Sequence, residues 1–321
     1  MNPVLEQLSK IGIVPVIKID DVEKAVPLAK ALAAGGLPCA EITFRTAQGE
    51  EAIRRIASEV PDVLVGAGTV LTIDQVDRAI DAGAKFIVSP GLNPKIVEYC
   101  VSKNIPITPG CANPSDIEQA IQCGLEVVKF FPAEQAGGID YIKAIAAPYV
   151  NMKFMPTGGV SAANINNYLS FDRIIACGGS WMVKADLIDA GNFDEITRLC
   201  KQAVNTMLGF ELAHVGINAE NEEDALKAAK MFELMFGFTA KEGNSSVFAD
   251  KYIEVMKTPF LGKNGHIAIG TNNIVRAIAY LERQGFAFNH DTVKKDAKGK
   301  FPAIYFKDEI AGFAVHLLQK K

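Results

Sequence analysis

Along the first two-thirds of the chain, short apolar runs alternate with longer stretches in which apolar residues return every three or four positions. The runs are GIVPVIKI, CAEITF, VLVGAG, FIVSPG, PITPG, VVKFFP, KFMPTGG and IIACGGS. Their length and near-continuous apolar character predict buried parallel strands. After each comes a helical segment: EKAVPLAKALAAGG, GEEAIRRIASEV, IDQVDRAIDAG, KIVEYCVSKN, SDIEQAIQCG, IDYIKAIAAPY, AANINNYLS and DEITRLCKQAVNTM. Eight strand-helix units predict an α/β fold closed into a (β/α)8 TIM barrel over residues 1–207. An open doubly wound sheet is the competing arrangement. Its glycine-rich loop at the first helix is missing, because the chain reads DDVEKA after GIVPVIKI.

After Met207 the helical period gives way to strand-like alternation in LGFELAHVGI. A boundary there leaves residues 208–321 as a smaller α+β domain. It holds a weak internal repeat: AHVGI leads into DALKAAKMFELMFGF, and GHIAI leads into NIVRAIAYLERQGF. The first copy ends in SVFAD and YIEVMK, the second in AIYFKDE and FAVHLL, so paired βαβββ modules are expected.

Composition narrows the function classes. Hydrophobic residues make up 49% and charged residues 22%, the balance of a globular chain rather than a disordered one. A formal net charge of -4 gives no general attraction for nucleic acid or an anionic membrane. Neither a signal-peptide pattern nor a membrane-spanning run is present, and a cytoplasmic location is expected. The six cysteines lie in the first two-thirds without a C-x-x-C pair, and read as reduced, buried thiols. Cys111, in ITPGCANPS, is the one cysteine placed to face a site.

Active sites of such barrels lie at the C-terminal ends of the strands. Polar residues gather there: Glu41, Thr43 and Arg45 alternate along CAEITFR, Thr69 follows VLVGAG, Lys129 sits in VVKFF, Thr157 follows KFMP, and Ser180 closes IIACGGS. Lys129 stands out because Val127, Val128, Phe130 and Phe131 surround an amine on a central strand. Burial disfavours the charged ammonium and favours the neutral amine that attacks a ketone. The structural alternative is a lysine neutralised by a buried carboxylate such as Glu41. Glu41 can serve as general acid and base, or form an ion pair with Arg45 or Lys129. Arg45 offers a planar fork for a substrate carboxylate, with Thr69 as a second donor. The doublets Gly158-Gly159 and Gly178-Gly179, the latter before Ser180, fall where many barrels hold a phosphate through backbone N–H groups. Glycines also serve tight turns.

In order and spacing, AEITFRT, VGAGTV, SPG, VVKFFPAE, PTGG and GGSW resemble the 2-keto-3-deoxy-6-phosphogluconate / 4-hydroxy-2-oxoglutarate aldolase family over residues 3 to 205. The resemblance implies a class I aldolase, cleaving a keto-acid substrate to pyruvate and an aldehyde without a cofactor. It makes Lys129 the Schiff-base residue and Glu41 the acid/base. Arg45 and Thr69 would hold the carboxylate, with Pro90 and Phe131 beside the substrate and Thr157 at its hydroxyls. Gly158, Gly159, Gly179 and Ser180 would line the phosphate end. A homotrimer is the family expectation. The family more often carries a hydroxyl residue where this chain has Asn113. The alternative for the barrel is a phosphate-binding isomerase or epimerase that uses Glu41 as base without an imine.

Three of the four histidines, His214, His266 and His316, fall in the expected strands of the second domain. His214 and His266 begin the first strands of the two modules, while Glu254 and His316 occupy matching points in the last strands. Three imidazoles and a carboxylate suit Zn, Ni, Fe or Co better than Mg or Ca. Histidines packed within the sheet are the structural alternative. The layout resembles the vicinal oxygen chelate (glyoxalase and bleomycin-resistance) superfamily over residues 211 to 319, with His316 where that family usually has glutamate. The domain is then either a metal-dependent enzyme or a small-molecule binding module. His290 has no expected role, and KKDAKGKF reads as a solvated basic loop.

Overall fold

The computed structural model describes residues 1–293, 295 and 299–320, which fall into two compact units, 1–207 and 208–321. The basic run KKDAKGKF lies partly outside the described residues.

In the first unit the strands are β1 (Ile13–Ile17), β2 (Cys39–Thr43), β3 (Leu64–Gly68), β4 (Ile87–Ser89), β5 (Ile107–Cys111), β6 (Val127–Phe130), β7 (Lys153–Pro156) and β8 (Cys177–Gly179). They pair in parallel in the order β7-β6-β5-β4-β3-β2-β1-β8. Two parallel bridges, Phe154 to Ile174 and Thr157 to Gly178, bring the ends of this order together and complete the barrel. The eight expected units are all present.

A helix α1 (Pro3–Ile11) precedes β1 and was not anticipated from the sequence pattern, although its signals are there. Asn2 caps it by accepting from the Val4 N–H, Pro3 opens it, and Gly12 ends it at φ 81°. It buries Leu5, Leu8 and Ile11. The helices between strands are α2 (Ala25–Ala34), α3 (Gly49–Glu59), α4 (Ile73–Asp81), α5 (Pro94–Ser102), α6 (Pro114–Gln122), α7 (Gly138–Ala146) and α8 (Ile165–Leu169). After β8 come a short α9 (Ala185–Asp189) and a long α10 (Phe193–Leu208). Thr72, Asn93 and Asn113 cap α4, α5 and α6 through their side chains. Each such cap stabilises its helix by about 1 kcal/mol. Asn113 is thereby committed to a helix start, accepting from the Asp116 N–H at 3.0 Å.

The second unit begins with β9 (Glu211–Asn218) and α11 (Glu222–Phe236), followed by β10 (Ala240–Glu242), β11 (Ser246–Ala249) and β12 (Ile253–Met256). The pattern repeats as β13 (His266–Thr271), α12 (Ile274–Arg283), β14 (Phe288–Asn289), β15 (Ala303–Phe306) and β16 (Ala314–Gln319). These are the two expected βαβββ modules, with the short β10 and β14 added to the strands read from the sequence. They share one mixed sheet of order β10-β11-β12-β9-β13-β16-β15-β14, joined by the antiparallel pair β9 and β13. The first module packs Ala225 and Ala229 of α11 against Val247 and Val255. Small residues on that helix face let it lie close to the sheet. Among the described residues no helix is long and apolar enough to cross a membrane.

Candidate functional site

Alternation along β6 puts Val128 and Phe130, both fully buried, on one side and Lys129 on the other. Three strands separate β6 from β2 in the sheet order, so contact between their side chains crosses the barrel interior. That contact exists: Lys129 Nζ lies 3.8 Å from Glu41 Oε1. Lys129 is 6% exposed and Glu41 1%. The separation is longer than a hydrogen bond, and Glu41 Oε2 has no partner at all. Unpaired buried carboxylate oxygens are costly and uncommon outside functional sites. The amine also lies 5.0 Å from the centroid of the Phe131 ring, which is partly open to solvent. Amine and carboxyl thus meet as an ion pair inside the barrel, longer than a hydrogen bond, with one carboxylate oxygen left unpartnered.

The surrounding strand ends supply further groups. Thr43 donates to the Ile17 carbonyl at 2.9 Å and accepts from Arg45 Nε at 3.1 Å. Arg45 does not continue β2 as expected: the strand stops at Thr43, and Arg45 is an exposed turn residue directed back to the strand end by that hydrogen bond. Its guanidinium makes no ion pair with Glu41. Thr69 follows β3 with φ 58°, a left-handed conformation that a β-branched residue adopts only when its surroundings impose it. Pro90 follows β4, where Ser89 Oγ donates to the Gly91 carbonyl at 2.8 Å. Thr157, 7% exposed at the end of β7, has a buried hydroxyl without a partner.

Gly158 and Gly159 form a turn with φ of 100° and 78°, which favours glycine at both positions. The turn is braced from behind, because Ala133 and Glu134 donate their N–H groups to the carbonyls of Thr157 and Gly158. The other doublet differs from expectation. Gly178 and Gly179 are the last residues of β8, not a turn, and lack side chains for packing reasons. A Cβ on Gly178 would stand 2.3 Å from Thr157 Oγ1, and one on Gly179 would stand 2.0 Å from the Trp181 ring. Ser180 is exposed just beyond the strand.

Cys111 does not face the site. It is buried at the end of β5, and burial together with Asp116 pushes its thiol up to about 12. The other five cysteines are buried and free as well.

A family model for KDPG and KHG aldolase matches residues 4–199, the whole run of strands that carries these groups. The chain belongs to the KDPG and KHG aldolase family. A 2-dehydro-3-deoxy-phosphogluconate aldolase of Treponema pallidum (strain Nichols) is 48% identical over 204 residues, covering 64% of this chain and 97% of the relative. Among solved structures, the KDPG aldolase of Legionella pneumophila holds pyruvate captured as a covalent carbinolamine intermediate. It is 38% identical, with a TM-score of 0.60, covering 62% of this chain and 97% of that one. The 2-keto-3-deoxy-6-phosphogluconate aldolase of Zymomonas mobilis ZM4, solved with 3-phosphoglycerate, is 40% identical at a TM-score of 0.59, covering 62% and 94%. The aldolase-family match thus ends before the second unit begins.

Beyond the aldolase barrel, the second unit brings all four of its predicted groups together. Register explains how. Across the antiparallel pair, His214 lies opposite Ala268 and His266 opposite Gly216. Glu254 is level with Gly216 on one side, and His316 with Ala268 on the other. All four side chains therefore project from one face of β12, β9, β13 and β16, with the two smallest residues between them. The smallness is required: a Cβ on Gly216 would lie 1.9 Å from the His266 ring. His266 does begin β13, whereas β9 starts at Glu211, three residues before His214.

Glu254 Oε2 lies 3.0 Å from His214 Nε2 and 3.1 Å from His266 Nε2, and those two nitrogens are 3.3 Å apart. Ser246 donates to the other Glu254 oxygen at 2.7 Å. Burial works to raise the Glu254 carboxyl, but the hydrogen bonds from His214, His266 and Ser246 outweigh it and hold the group well below the usual carboxylate range. His316 is 6% exposed, and neither ring nitrogen has a partner. Burial and the neighbouring His266 and His214 hold it down to about 4, so it is a neutral ring at pH 7 with free lone-pair capacity. Tyr305 stacks on it, with centroids 4.6 Å apart. Gly216, Ser246 and Tyr305 were not singled out from the sequence, since their roles depend on strands that only the fold brings together.

Proposed function

We propose that the barrel cleaves a 2-keto-4-hydroxy acid through a Schiff base on Lys129, the substrate being 2-keto-3-deoxy-6-phosphogluconate, 4-hydroxy-2-oxoglutarate or both. The products are pyruvate and either glyceraldehyde 3-phosphate or glyoxylate. One observation carries the reading: a buried amine lies 3.8 Å from a buried carboxyl, beyond hydrogen-bond length, and the carboxyl's other oxygen is unpartnered.

The neutral Lys129 amine adds to the C2 ketone, water leaves, and the resulting iminium draws the electron pair of the C3–C4 bond as it breaks. Glu41 accepts the C4 hydroxyl proton, leaving the aldehyde and an enamine. The carboxyl then returns a proton to C3, and hydrolysis releases pyruvate and regenerates the amine. Arg45 and Thr69 take the substrate carboxylate, Pro90 and Phe131 flank the keto-acid end, and Thr157 offers its unpaired hydroxyl to the substrate hydroxyls. The backbone at Gly158, Gly159, Gly179 and Ser180 receives the phosphate. A base-only isomerase leaves the Lys129 amine without a task. The reading includes a homotrimer in the cytoplasm, in keeping with a chain whose cysteines are free thiols.

For the second unit we propose a vicinal-oxygen-chelate-like domain that binds a divalent transition metal through His214, Glu254, His266 and His316. Bonds of about 2.0–2.1 Å place ligand atoms roughly 2.9–3.4 Å apart, and the triangle of two nitrogens and one oxygen already has such edges. His316 adds a fourth donor, whose ring nitrogens have no hydrogen-bond partner among the described residues. A bound ion would supply Lewis acidity there, and Ser246 would keep the Glu254 carboxylate oriented toward it.

The test for the barrel is cleavage of both substrates by the wild type and by Lys129→Ala. Turnover of at least one substrate that the substitution abolishes supports the assignment. Turnover retained by Lys129→Ala removes it.

A further inference from the structure

A charged side chain lies against the turn proposed to receive the phosphate. The stem of Glu134 packs on Gly159: a Cβ on that glycine would stand 2.5 Å from Glu134 Cγ and 2.6 Å from its Cβ. Backbone bonds fix this approach. Ala133 and Glu134 donate N–H groups to the carbonyls of Thr157 and Gly158 at 2.8 and 3.0 Å, and Asn164 Nδ2 donates to the Gly159 carbonyl at 3.1 Å. The Glu134 backbone is therefore tied to the turn, and the carboxylate is the part that can swing.

A carboxylate beside a phosphate is unfavourable, because like charges repel and both compete for the same N–H donors. Among the described residues Glu134 makes no ion pair with a lysine or arginine that would offset its charge. Its partner is a tyrosine. Tyr168 belongs to α8, the helix that follows the turn, and is 1% exposed. Its hydroxyl donates to Glu134 Oε1. Burial and the bond to Glu134 push that hydroxyl well above the usual phenol range, so it remains a donor at neutral pH. The bonded pair lies over Gly138, the first residue of α7, where a Cβ would stand 3.5 Å from the hydroxyl and 3.6 Å from Oε1. A helix N-terminus is a favourable neighbour for a negative charge.

We propose that Tyr168 is a positioning residue that holds the Glu134 carboxylate aside from the turn at Gly158 and Gly159, and thereby sets the affinity for a phosphorylated substrate. The inference rests on the phosphate reading of that turn. Without the hydroxyl, the Glu134 carboxylate rotates toward the turn and opposes the incoming phosphate. With an amide in place of the carboxylate the charge is gone, and the hydroxyl is no longer needed.

Steady-state cleavage of 2-keto-3-deoxy-6-phosphogluconate tests this, with solvent exchange of the pyruvate methyl protons as the control, since that exchange uses only the keto-acid end. Tyr168→Phe should raise KM for the phosphorylated substrate by about tenfold while leaving kcat and pyruvate exchange within about twofold of wild type. Adding Glu134→Gln to Tyr168→Phe should bring KM back to within about threefold of wild type, a rescue that a merely structural tyrosine would not show. A wild-type KM in Tyr168→Phe, an equal loss in pyruvate exchange, or a double variant no better than the single one each overturns the inference. Gly159→Ala separates it from the phosphate reading. If that substitution raises the same KM and Tyr168→Phe does not, the turn binds phosphate without this control and only the inference fails. If it leaves that KM unaltered, the phosphate reading falls and takes the inference with it.

Discussion

Gly68 makes room for the Glu41 carboxyl: a Cβ at that position would stand 2.2 Å from Oε1 and 2.7 Å from Cγ. Glu41 is buried, and the added Cβ would overlap its carboxyl, so Gly68→Ala should move the carboxyl off its line to Lys129. We expect kcat to fall by roughly 10²-fold, within the range for losing a positioned acid/base. Overpacking of this kind destabilises by about 1–3 kcal/mol. Steady-state kinetics with a thermal melt would show whether the two losses occur together; a fully active variant would mean that the carboxyl is not needed where it stands.

Glu41→Gln separates chemistry from packing. It keeps the shape while removing the proton acceptor, and kcat should drop by about 10²–10⁴-fold. A thermal melt run beside the kinetics shows that the fold is retained, so that the loss of turnover is read as chemistry. A variant with kcat near wild type would leave Glu41 as a structural partner of Lys129 only.

Selectivity between the two substrates should reside in the turn at Gly158 and Gly159. Gly159 has φ 78°, and a Cβ there would lie 2.5 Å from Glu134 Cγ. Gly159→Ala should raise KM for 2-keto-3-deoxy-6-phosphogluconate by about tenfold or more, with a smaller change for the unphosphorylated 4-hydroxy-2-oxoglutarate. Equal changes for both substrates would place the phosphate elsewhere.

The alternation of strand runs and helical periods was enough to reveal the barrel, because both element types repeat eight times with similar lengths. Lys129 was legible for a local reason: four apolar neighbours in sequence leave an amine few routes to water. Its partner was legible only as a candidate, since nothing local says that β2 and β6 face each other across the interior. Arg45 was misplaced by one step of alternation, because the pattern CAEITFR does not mark the end of β2 at Thr43. Helix α1 carries a cap and a proline start of its own, but it is short and the apolar run that follows it is the stronger signal. In the second unit the repeat exposed the histidines and Glu254, whereas Gly216 matters through a ring fifty residues away and carries no sequence mark.

His316→Ala and Ser246→Ala should weaken zinc binding by about 10–100-fold if the four-residue cluster is the metal site, the first through a lost ligand and the second through a loosened carboxylate. Metal analysis after dialysis reads this directly. Aldolase turnover should be unaffected by either change or by a chelator. Wild-type metal content in His316→Ala would exclude that residue as a ligand.

Thiol reactivity should be silent in the folded protein. Burial pushes Cys100, Cys111 and Cys200 up to about 12, so almost none of each is thiolate at pH 8. A thiol reagent at that pH should find none of the six cysteines in native protein and all six in denaturant. Rapid reaction of one native thiol would show that its surroundings open.

The central claim is that Lys129 forms a covalent imine, and mass spectrometry after incubation with pyruvate and borohydride tests it most directly. We predict one reduced pyruvate adduct per chain, located by peptide mapping on Lys129 and absent from Lys129→Ala. An unchanged wild-type mass, or an adduct on a different lysine, would contradict it.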